Sequence, residues 1–390
     1  MDTVCHVITK LELGGAQEVA LFVVSHLPRA RFRAVLVTGP GGLLTEEAKT
    51  RSGVEVVEVP PLRREIRPPA DLRALLQLVR LFRRLRPRIV HTHSSKAGIL
   101  GRWAAWLARV PVIVHTIHGY GITPSQSPWL RWLLIQLERV TGTVTTHWIA
   151  VAQADIERGI GWRLFQRAQV SLIRPGIDSM PFVSARTLSE RHRMREALGV
   201  GADELVVGTV ACLKPQKAPQ DFVAVAARVC KVIDRARFVL IGDGEERPAV
   251  ETLIAAAGLQ NRLQLLGWRR DVPALLQAFD AFALTSHWEG LPRVLLEARL
   301  AGLPVVATRV GGAEEAVIEG EQGWLFQAGD VEGMTTRLCH VLADEGLRRR
   351  LRQQPTGLPK EFDVREMAKQ HEQLYMRLLS SRLPSMDRAA

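Results

Sequence analysis

AFALTSHWEGLPRVLLEARLAGLPVVATR, residues 281–309, holds the pattern from which the fold is read. A short apolar run, AFALTS, passes through a polar turn into a segment of helical period, and a second apolar run, PVVATR, follows. Two strands joined through a helix make a parallel βαβ unit, because parallel neighbours need a crossover of about a dozen residues or more.

The same alternation runs outward in both directions. Strand-like runs in the first half are VCHVIT, AVLVT, RIVHTH, VPVIVHT, HWIAVA and VSLIRP; in the second half they are LVVGTVA, RFVLIG, RLQLLG, AFALTS and PVVATR. Each set suffices for one doubly wound α/β domain. A chain of 390 residues also exceeds what one hydrophobic core usually organises, so two domains are expected. The stretch from Ile177 to about Asp203 is polar and charged, has helical character and offers no strand, which places a linker there. Near the end, FDVREMAKQHEQLYMRLL reads as one long helix after a break at Pro355 and Pro359. The expected division is 1–183 and 184–363, with the terminal helix at 364–382.

Apolar residues make up 47% of the sequence, and no run approaches the length of a membrane span. The opening MDTVCHVITK lacks a basic segment followed by an apolar one, so no export signal is expected. Cys5, Cys212, Cys230 and Cys339 are scattered, without the close pairs of a zinc site or a disulfide framework. A cytoplasmic protein fits these features. The formal net charge of +12 is uneven: residues 1–180 hold 24 Lys+Arg against 13 Asp+Glu, and residues 181–390 hold 28 against 27. A basic half attracts polyanions, whether nucleic acid, anionic lipid or an acidic substrate. Residues 62–88 concentrate the charge, with nine arginines against Glu65 and Asp71. After Asp71, read as a cap, Leu72, Leu75, Leu76, Val79 and Phe82 follow helical spacing, while Arg73, Arg80 and Arg84 share another face. Such a helix either packs its apolar stripe on the sheet or meets an anionic membrane surface. Trp129 and Trp132 in SPWLRWLLIQLERV are either core or an interfacial anchor.

Ligands of open α/β sheets bind beyond the carboxyl ends of the strands, so the strand-to-helix loops are searched for chemistry. LELGGAQE places Gly14 and Gly15 before a helix, where the backbone can approach an anion. The three-glycine dinucleotide fingerprint does not fit there, since Leu13 stands two before Gly15 and Glu18 three after it. HTIHGYG brings His115 and His118 beside Gly119 and Gly121, and a histidine there can bond a sugar hydroxyl or cap the strand. His91 and His93 lie similarly after RIV, with no carboxylate or cysteine near enough in sequence to complete a metal site, so no metal is expected. ACLKPQKAP carries Lys214 and Lys217, two ammonium groups suited to a diphosphate or simply solvated. In the opening stretch Glu289 lies in the loop, Pro292 suits the first helical turn, and Glu297 falls about one and a half turns inside the helix.

SHWEGLPRVLLEA resembles the Glu-x7-Glu motif of the family 4 retaining glycosyltransferases, which have the GT-B fold of two facing Rossmann-like domains with a cleft between them and a C-terminal helix crossing back to the first. GGAQE, HTIHG, RPGID, VACLKPQKAP, LIGDGEER, LGWRRDV and VGGAEEAV resemble further family motifs, in the family's order. The resemblance implies that Gly15 approaches the donor phosphate, His118 contacts the transferred sugar and Lys217 binds the diphosphate. It implies that Glu289, with the amides of Gly290 and Leu291, holds sugar and phosphate, that Glu297 grips the ribose, and that Arg269 lies near the base. Cys212 stands where the family often has Arg, so a phosphate contact is lost or is supplied by Lys214; RPGID replaces a more usual Pro-Asn-Gly pattern.

What is implied is a retaining transferase moving a sugar from a nucleotide-sugar donor to a glycan or lipid-linked acceptor, in polysaccharide, lipopolysaccharide or glycolipid synthesis. No cofactor is expected. No Asp-x-Asp pair offers a metal clamp, and lysines with loop amides would stabilise the leaving diphosphate. A nucleotide-sugar epimerase of the same fold would share the cleft, but the ordered Glu-x7-Glu set argues against it. A nucleic-acid-binding protein would suit the basic half yet lacks interleaved aromatics on a binding module, so no nucleic acid is expected.

Overall fold

The computed structural model describes residues 1–123, 125–353 and 357–381. The chain divides into two compact units: Met1–Gly176 together with the segment from Val364 onward, and Ile177–Asp363.

The first unit is built on a seven-stranded sheet of β1 (Asp2–Ile8), β2 (Phe32–Thr38), β3 (Val54–Glu58), β4 (Ile89–His93), β5 (Val112–Ile117), β6 (His147–Ala150) and β7 (Val170–Leu172). Its order is β3-β2-β1-β4-β5-β6-β7 and every pairing is parallel. The central strands β4 and β5 are buried along their whole length, so IVHTH and VIVHTI lack the apolar–polar alternation of a half-covered strand and carry their histidines and threonines inside the unit. One strand, β3, lay outside the expected set. It is a sheet edge, and VEVVE mixes Glu with Val, its valines half-buried and its glutamates exposed.

The second unit carries β8 (Leu205–Val210), β9 (Ala236–Ile241), β10 (Leu263–Leu265), β11 (Ala281–Leu284), β12 (Val305–Thr308) and β13 (Gly323–Phe326), in the order β10-β9-β8-β11-β12-β13 and again all parallel. The unanticipated member, β13, is a four-residue edge strand. Both sheets reverse direction of growth once, between β1 and β4 and between β8 and β11. At such switch points neighbouring strand ends diverge and leave a crevice for a ligand.

Residues 177–203 are not a linker. Ile177 forms a bridge with Asp363, and the helices Met180–Ser184 and Leu188–Ala197 pack within the second unit. Arg191 and Arg195 both pair with the carboxylate of Asp280, at 2.7 and 3.3 Å, and Arg195 also donates to the Ala278 carbonyl. These buried ion pairs explain how so polar a stretch is held, and they move the end of the first unit from 183 back to 176. The terminal helix runs Val364–Ser380 and packs against the helix Gly15–His26 of the first unit, placing Met367, Leu374, Tyr375 and Leu379 in that unit's core. The expected break at Pro355 and the expected helix end at Arg382 lie outside the described residues.

Three helices of the first unit form a row: Ser95–Leu107 packs against both Pro68–Leu85 and Pro128–Gly142. Pro68 and Pro69 start the first of these, since proline suits the opening turn, so Asp71 lies within the helix instead of capping it. Its side chain accepts from the Arg67 amide at 3.0 Å and pairs with Lys96 at 2.5 Å. Ala74, Leu78, Val79, Leu81 and Phe82 are its buried residues, whereas Leu72 is 57% and Leu76 46% exposed. The stripe read from sequence is therefore split between core and surface. Trp129 and Trp132 are 68% and 57% exposed, which removes the core reading for both. Among the described residues, no helix is long and apolar enough to cross a membrane.

Candidate active site

In the second unit the loops after β8 and β11 flank the switch point, and their side chains interlock. The loop after β8 ends in a short turn, Pro215–Lys217, before the helix Pro219–Val232. Ala218 joins turn to helix with φ of 44°, a left-handed conformation that an alanine adopts only under constraint. The constraint is visible: the Thr285 hydroxyl, from the loop after β11, donates to the Lys217 and Ala218 carbonyls at 3.1 and 3.0 Å. The His287 amide adds a bond to the Gln216 carbonyl at 2.8 Å.

Glu289 stands at the centre of this interlock, only 6% exposed. Its Oε1 accepts from Lys217 Nζ at 2.5 Å and from Ser286 Oγ at 2.7 Å, and its Oε2 accepts from Gln216 Nε2 at 3.3 Å. Gln216 also donates to the Trp288 carbonyl at 2.9 Å. A buried carboxylate with three donors, one of them an ammonium, is held in one orientation. Such a group can accept bonds from sugar hydroxyls while the neighbouring lysine offers positive charge to a phosphate.

Behind it, the loop after β12 sets the backbone. Gly312 N donates to Gly290 O at 2.6 Å, and a Cβ on Gly311 would come within 2.3 Å of the carbonyl oxygens of both Glu289 and Gly290. With φ of 54° as well, position 311 admits little but glycine. Leu291 is buried, and the helix Arg293–Leu300 follows with Pro292 as its flanking residue, not inside its first turn. Glu297, half-buried, is therefore the fifth helical residue, a little over one turn in instead of one and a half. Lys214, half-buried, opens the turn that carries Lys217. Arg269 sits on the loop after β10, exposed and gripping Asp271 with two bonds of 2.8 and 2.6 Å. That loop is tied to the one after β9 by the Gly242 amide donating to the Gly267 carbonyl at 2.8 Å.

Gln216, Ser286, Thr285 and Gly311 escaped the sequence reading. Each lies inside a motif already singled out, so the signal was present, but the roles of Gln216, Thr285 and Gly311 depend on contacts between loops more than 20 residues apart in sequence, and that of Ser286 on how its own loop folds back on Glu289.

In the first unit Gly15 opens its helix, with Gly14 extended before it and no side chain capping the amides. Those amides remain suited to an anion. His118 directly follows β5 and is half-buried, its Nε2 3.0 Å from His93 Nδ1. His115 is different: it lies within β5, buried against Gly98 and bonded to Thr92 at 2.9 Å, a structural position. The structure also brings His6 from β1 beside His91 and His93, a third histidine not associated with the pair from sequence. All three are buried, which pushes His6 down to about 3 and holds His91 and His93 well below the usual imidazole range, with neighbouring histidines adding to the effect.

Comparison with known proteins follows the same division. Residues 14–176 match the Glycosyl transferase 4-like domain family and residues 190–356 the Glycosyl transferases group 1 family. The chain is 33% identical, over 88% of its own length and 89% of the relative's, to the Escherichia coli UDP-Gal:alpha-D-GlcNAc-diphosphoundecaprenol alpha-1,3-galactosyltransferase. It is 26% identical, over 80% of each chain, to the N-acetyl-alpha-D-glucosaminyl L-malate synthase of Bacillus anthracis. The Anabaena protein Alr3699/HepE, solved in complex with UDP and glucose, superposes with a TM-score of 0.80 at 22% identity, over 96% of this chain and 100% of that one. Two doubly wound parallel sheets, the interlocked Glu-x7-Glu loop and these relatives together establish that the chain belongs to the family 4 glycosyltransferases of the GT-B fold.

Proposed function

We propose that the chain transfers a sugar from a nucleotide-diphosphate donor to a lipid-linked glycan acceptor, with retention at the anomeric carbon and without a metal ion. The observation that carries the proposal is the buried Glu289 bonded to Lys217, Ser286 and Gln216 at the switch point of the second sheet. In this reading Glu289 and the Gly290 and Leu291 amides hold the sugar and phosphate, and Lys217, with Lys214, meets the diphosphate. The ammonium charge then stabilises the departing nucleotide, the task a metal performs elsewhere. Glu297 takes the ribose hydroxyls, Arg269 faces the base, Gly15 approaches the phosphate and His118 bonds the transferred sugar. Family membership supports retention, and the name of the Escherichia coli relative, with its UDP-sugar donor and diphosphoundecaprenol acceptor, supports the substrate classes.

The acceptor reading has a surface to match. The row of three helices exposes Leu72, Leu76, Trp106, Trp129 and Trp132, with Arg73, Arg80 and Arg84 beside the first two. Indoles favour the headgroup level, and each basic residue near an anionic surface contributes about 1 kcal/mol. A peripheral position on the inner face of the plasma membrane follows from this reading.

Screening UDP-, GDP- and ADP-sugars for protection against thermal unfolding identifies the donor, since about 100 times the dissociation constant stabilises by roughly 2.7 kcal/mol. Anomeric configuration of the product, measured by NMR with and without EDTA, then tests retention and metal independence. An inverted product or an EDTA-sensitive rate refutes the corresponding claim. Flotation with anionic and neutral vesicles tests the membrane claim; binding that ignores lipid charge and salt refutes it.

A further inference from the structure

Behind His118 the first unit contains an unbroken line of hydrogen bonds. His118 Nε2 meets His93 Nδ1 at 3.0 Å; His93 Nε2 meets His6 Nδ1 at 3.0 Å; His6 Nε2 meets the Tyr375 hydroxyl at 3.0 Å. That hydroxyl meets His91 Nδ1 at 2.5 Å, and His91 Nε2 meets the Thr116 hydroxyl at 2.6 Å. Both ring nitrogens of His6, His91 and His93 are used, and all three side chains are fully buried, as is Tyr375. The strands β1, β4 and β5 supply the histidines and Thr116, and the terminal helix supplies the central hydroxyl.

Burial keeps His6, His91 and His93 neutral, so each has one N–H and one lone pair. In a line of such groups every donor must point the same way, because a reversal would set two N–H groups or two lone pairs against each other. Tyr375 accepting from both His6 and His91 would leave its own buried hydroxyl proton unpaired, so only two arrangements use every donor of the line. In one, His118 Nε2 carries the proton and donates to His93, leaving Nδ1 an acceptor. In the other, His118 Nε2 accepts and Nδ1 carries the proton.

We propose that Tyr375 and the histidines behind it form a positioning relay, which decides which nitrogen of His118 carries the proton and so whether the ring accepts from or donates to a sugar hydroxyl. The inference rests on the reading of His118 as the residue that bonds the transferred sugar. The three histidines also lie near enough to hold a metal ion, their ligand atoms within 4.8 Å of one another. A cation bound by all three would have to displace bonds that now occupy every one of their nitrogens.

The test combines turnover with histidine side-chain ¹⁵N spectra, which distinguish the two tautomers. The relay predicts one tautomer for each of His6, His91, His93 and His118 in the wild type. Tyr375→Phe keeps the ring and removes the central link. The unpaired Nε2 of His6 is then better left an acceptor, which sets His118 to carry its proton on Nδ1, and kcat should fall roughly 10- to 100-fold, the range carried by outer partners that fix a functional imidazole. The donor KM should change much less than kcat. Thr116→Val acts at the far end. An orphaned N–H being harder to bury than an orphaned acceptor, it should drive the line toward protonation of His118 at Nδ1, five hydrogen bonds away, an effect that packing alone would not produce. His118 protonated on Nε2 in Tyr375→Phe overturns the relay. If that variant does not fold, His118 protonated on Nε2 in Thr116→Val does so. One equivalent of zinc in the purified protein, lost in His6→Asn, also overturns it in favour of a metal site. Normal turnover in His118→Ala instead removes His118 from the sugar site, a separate failure, since the tautomer coupling is read without turnover.

Discussion

Replacing Glu289 by glutamine keeps the side chain's shape and removes its charge, which isolates the contribution of the ion pair at the heart of the second unit's loop interlock. In the native arrangement Oε1 accepts from Lys217 and Ser286 and Oε2 from Gln216, so all the bonds run inward to the carboxylate. A glutamine has one acceptor oxygen; its amide turns two N–H groups on one set of donors. Losing the charge-assisted bond to Lys217 costs about 1.5–3 kcal/mol, and setting donor against donor at the other oxygen costs about 1 kcal/mol or more. Lys217 is 17% exposed in its side chain and can partly recover water, which argues for the lower half of the range expected when a buried pair is broken. The sum is about 3 kcal/mol, or roughly 6–12 °C of melting temperature for a unit of this size. Thermal and denaturant unfolding of Glu289→Gln, Lys217→Met and the double variant close a cycle in which the pair should show a coupling of at least about 1.5 kcal/mol. Donor turnover, measured in parallel, should fall in both single variants. Stabilities that add to within about 0.5 kcal/mol would refute the argument that the two groups form one unit.

Glu297→Ala should weaken donor binding by about 1.5–3 kcal/mol, or about 10- to 150-fold, with less effect on turnover of the bound donor; calorimetric titration checks this, and an unchanged affinity removes the ribose assignment. Gly311→Ala forces a side chain against two carbonyl oxygens at a positive φ, so unfolding should show a loss of about 2 kcal/mol or more, with donor affinity falling too. Burial pushes His6 to about 3 and His371 to about 4, whereas both return to about 6.5 in the unfolded chain. Below pH 6.5 the unfolded chain takes up protons that the folded chain refuses, so stability is full above that pH and falls toward pH 3, by about 2 kcal/mol per histidine at pH 5. Denaturant midpoints from pH 8 to pH 5 measure the slope; a flat profile contradicts it.

The parallel sheets were legible because short runs with clustered apolar residues recur between segments of helical period, and β1, β4, β5, β8, β9, β11 and β12 all lie in such runs. The edges were not. VEVVE is half-covered and GWLF is too short for a period to show, so neither β3 nor β13 stood out from loop. Polarity misled at 177–203, where Arg191 and Arg195 mark a helix pinned to Asp280 instead of a linker. At the candidate site, Glu289 and Lys217 were found because both lie in strand-to-helix loops, where ligands of open α/β sheets bind, within stretches that resemble the family's motifs. Their contact could not be found, since it depends on strand order: β8 and β11 are neighbours in space with two strands between them in sequence. The histidine line was hidden for the same reason, each member sitting in an ordinary strand or helix pattern, with His6 and Tyr375 separated by 369 residues.

The way the chain enters and leaves the second unit bears on its biosynthesis. Ile177 and Asp363 are bridged, the Ile177 amide donating to the Phe362 carbonyl at 2.8 Å, so this unit begins and ends at one place. It can complete its own sheet and core as soon as residue 363 has left the ribosome. The first unit, although started earlier, still lacks Met367, Leu374, Tyr375 and Leu379 from its core at that moment. Vectorial synthesis therefore reverses the usual order in which the earlier domain matures first. A nascent chain stalled before residue 364 would present a finished second unit beside an unfinished first one, with the Gly15–His26 helix lacking its partner helix and His6 and His91 lacking the tyrosine that joins them.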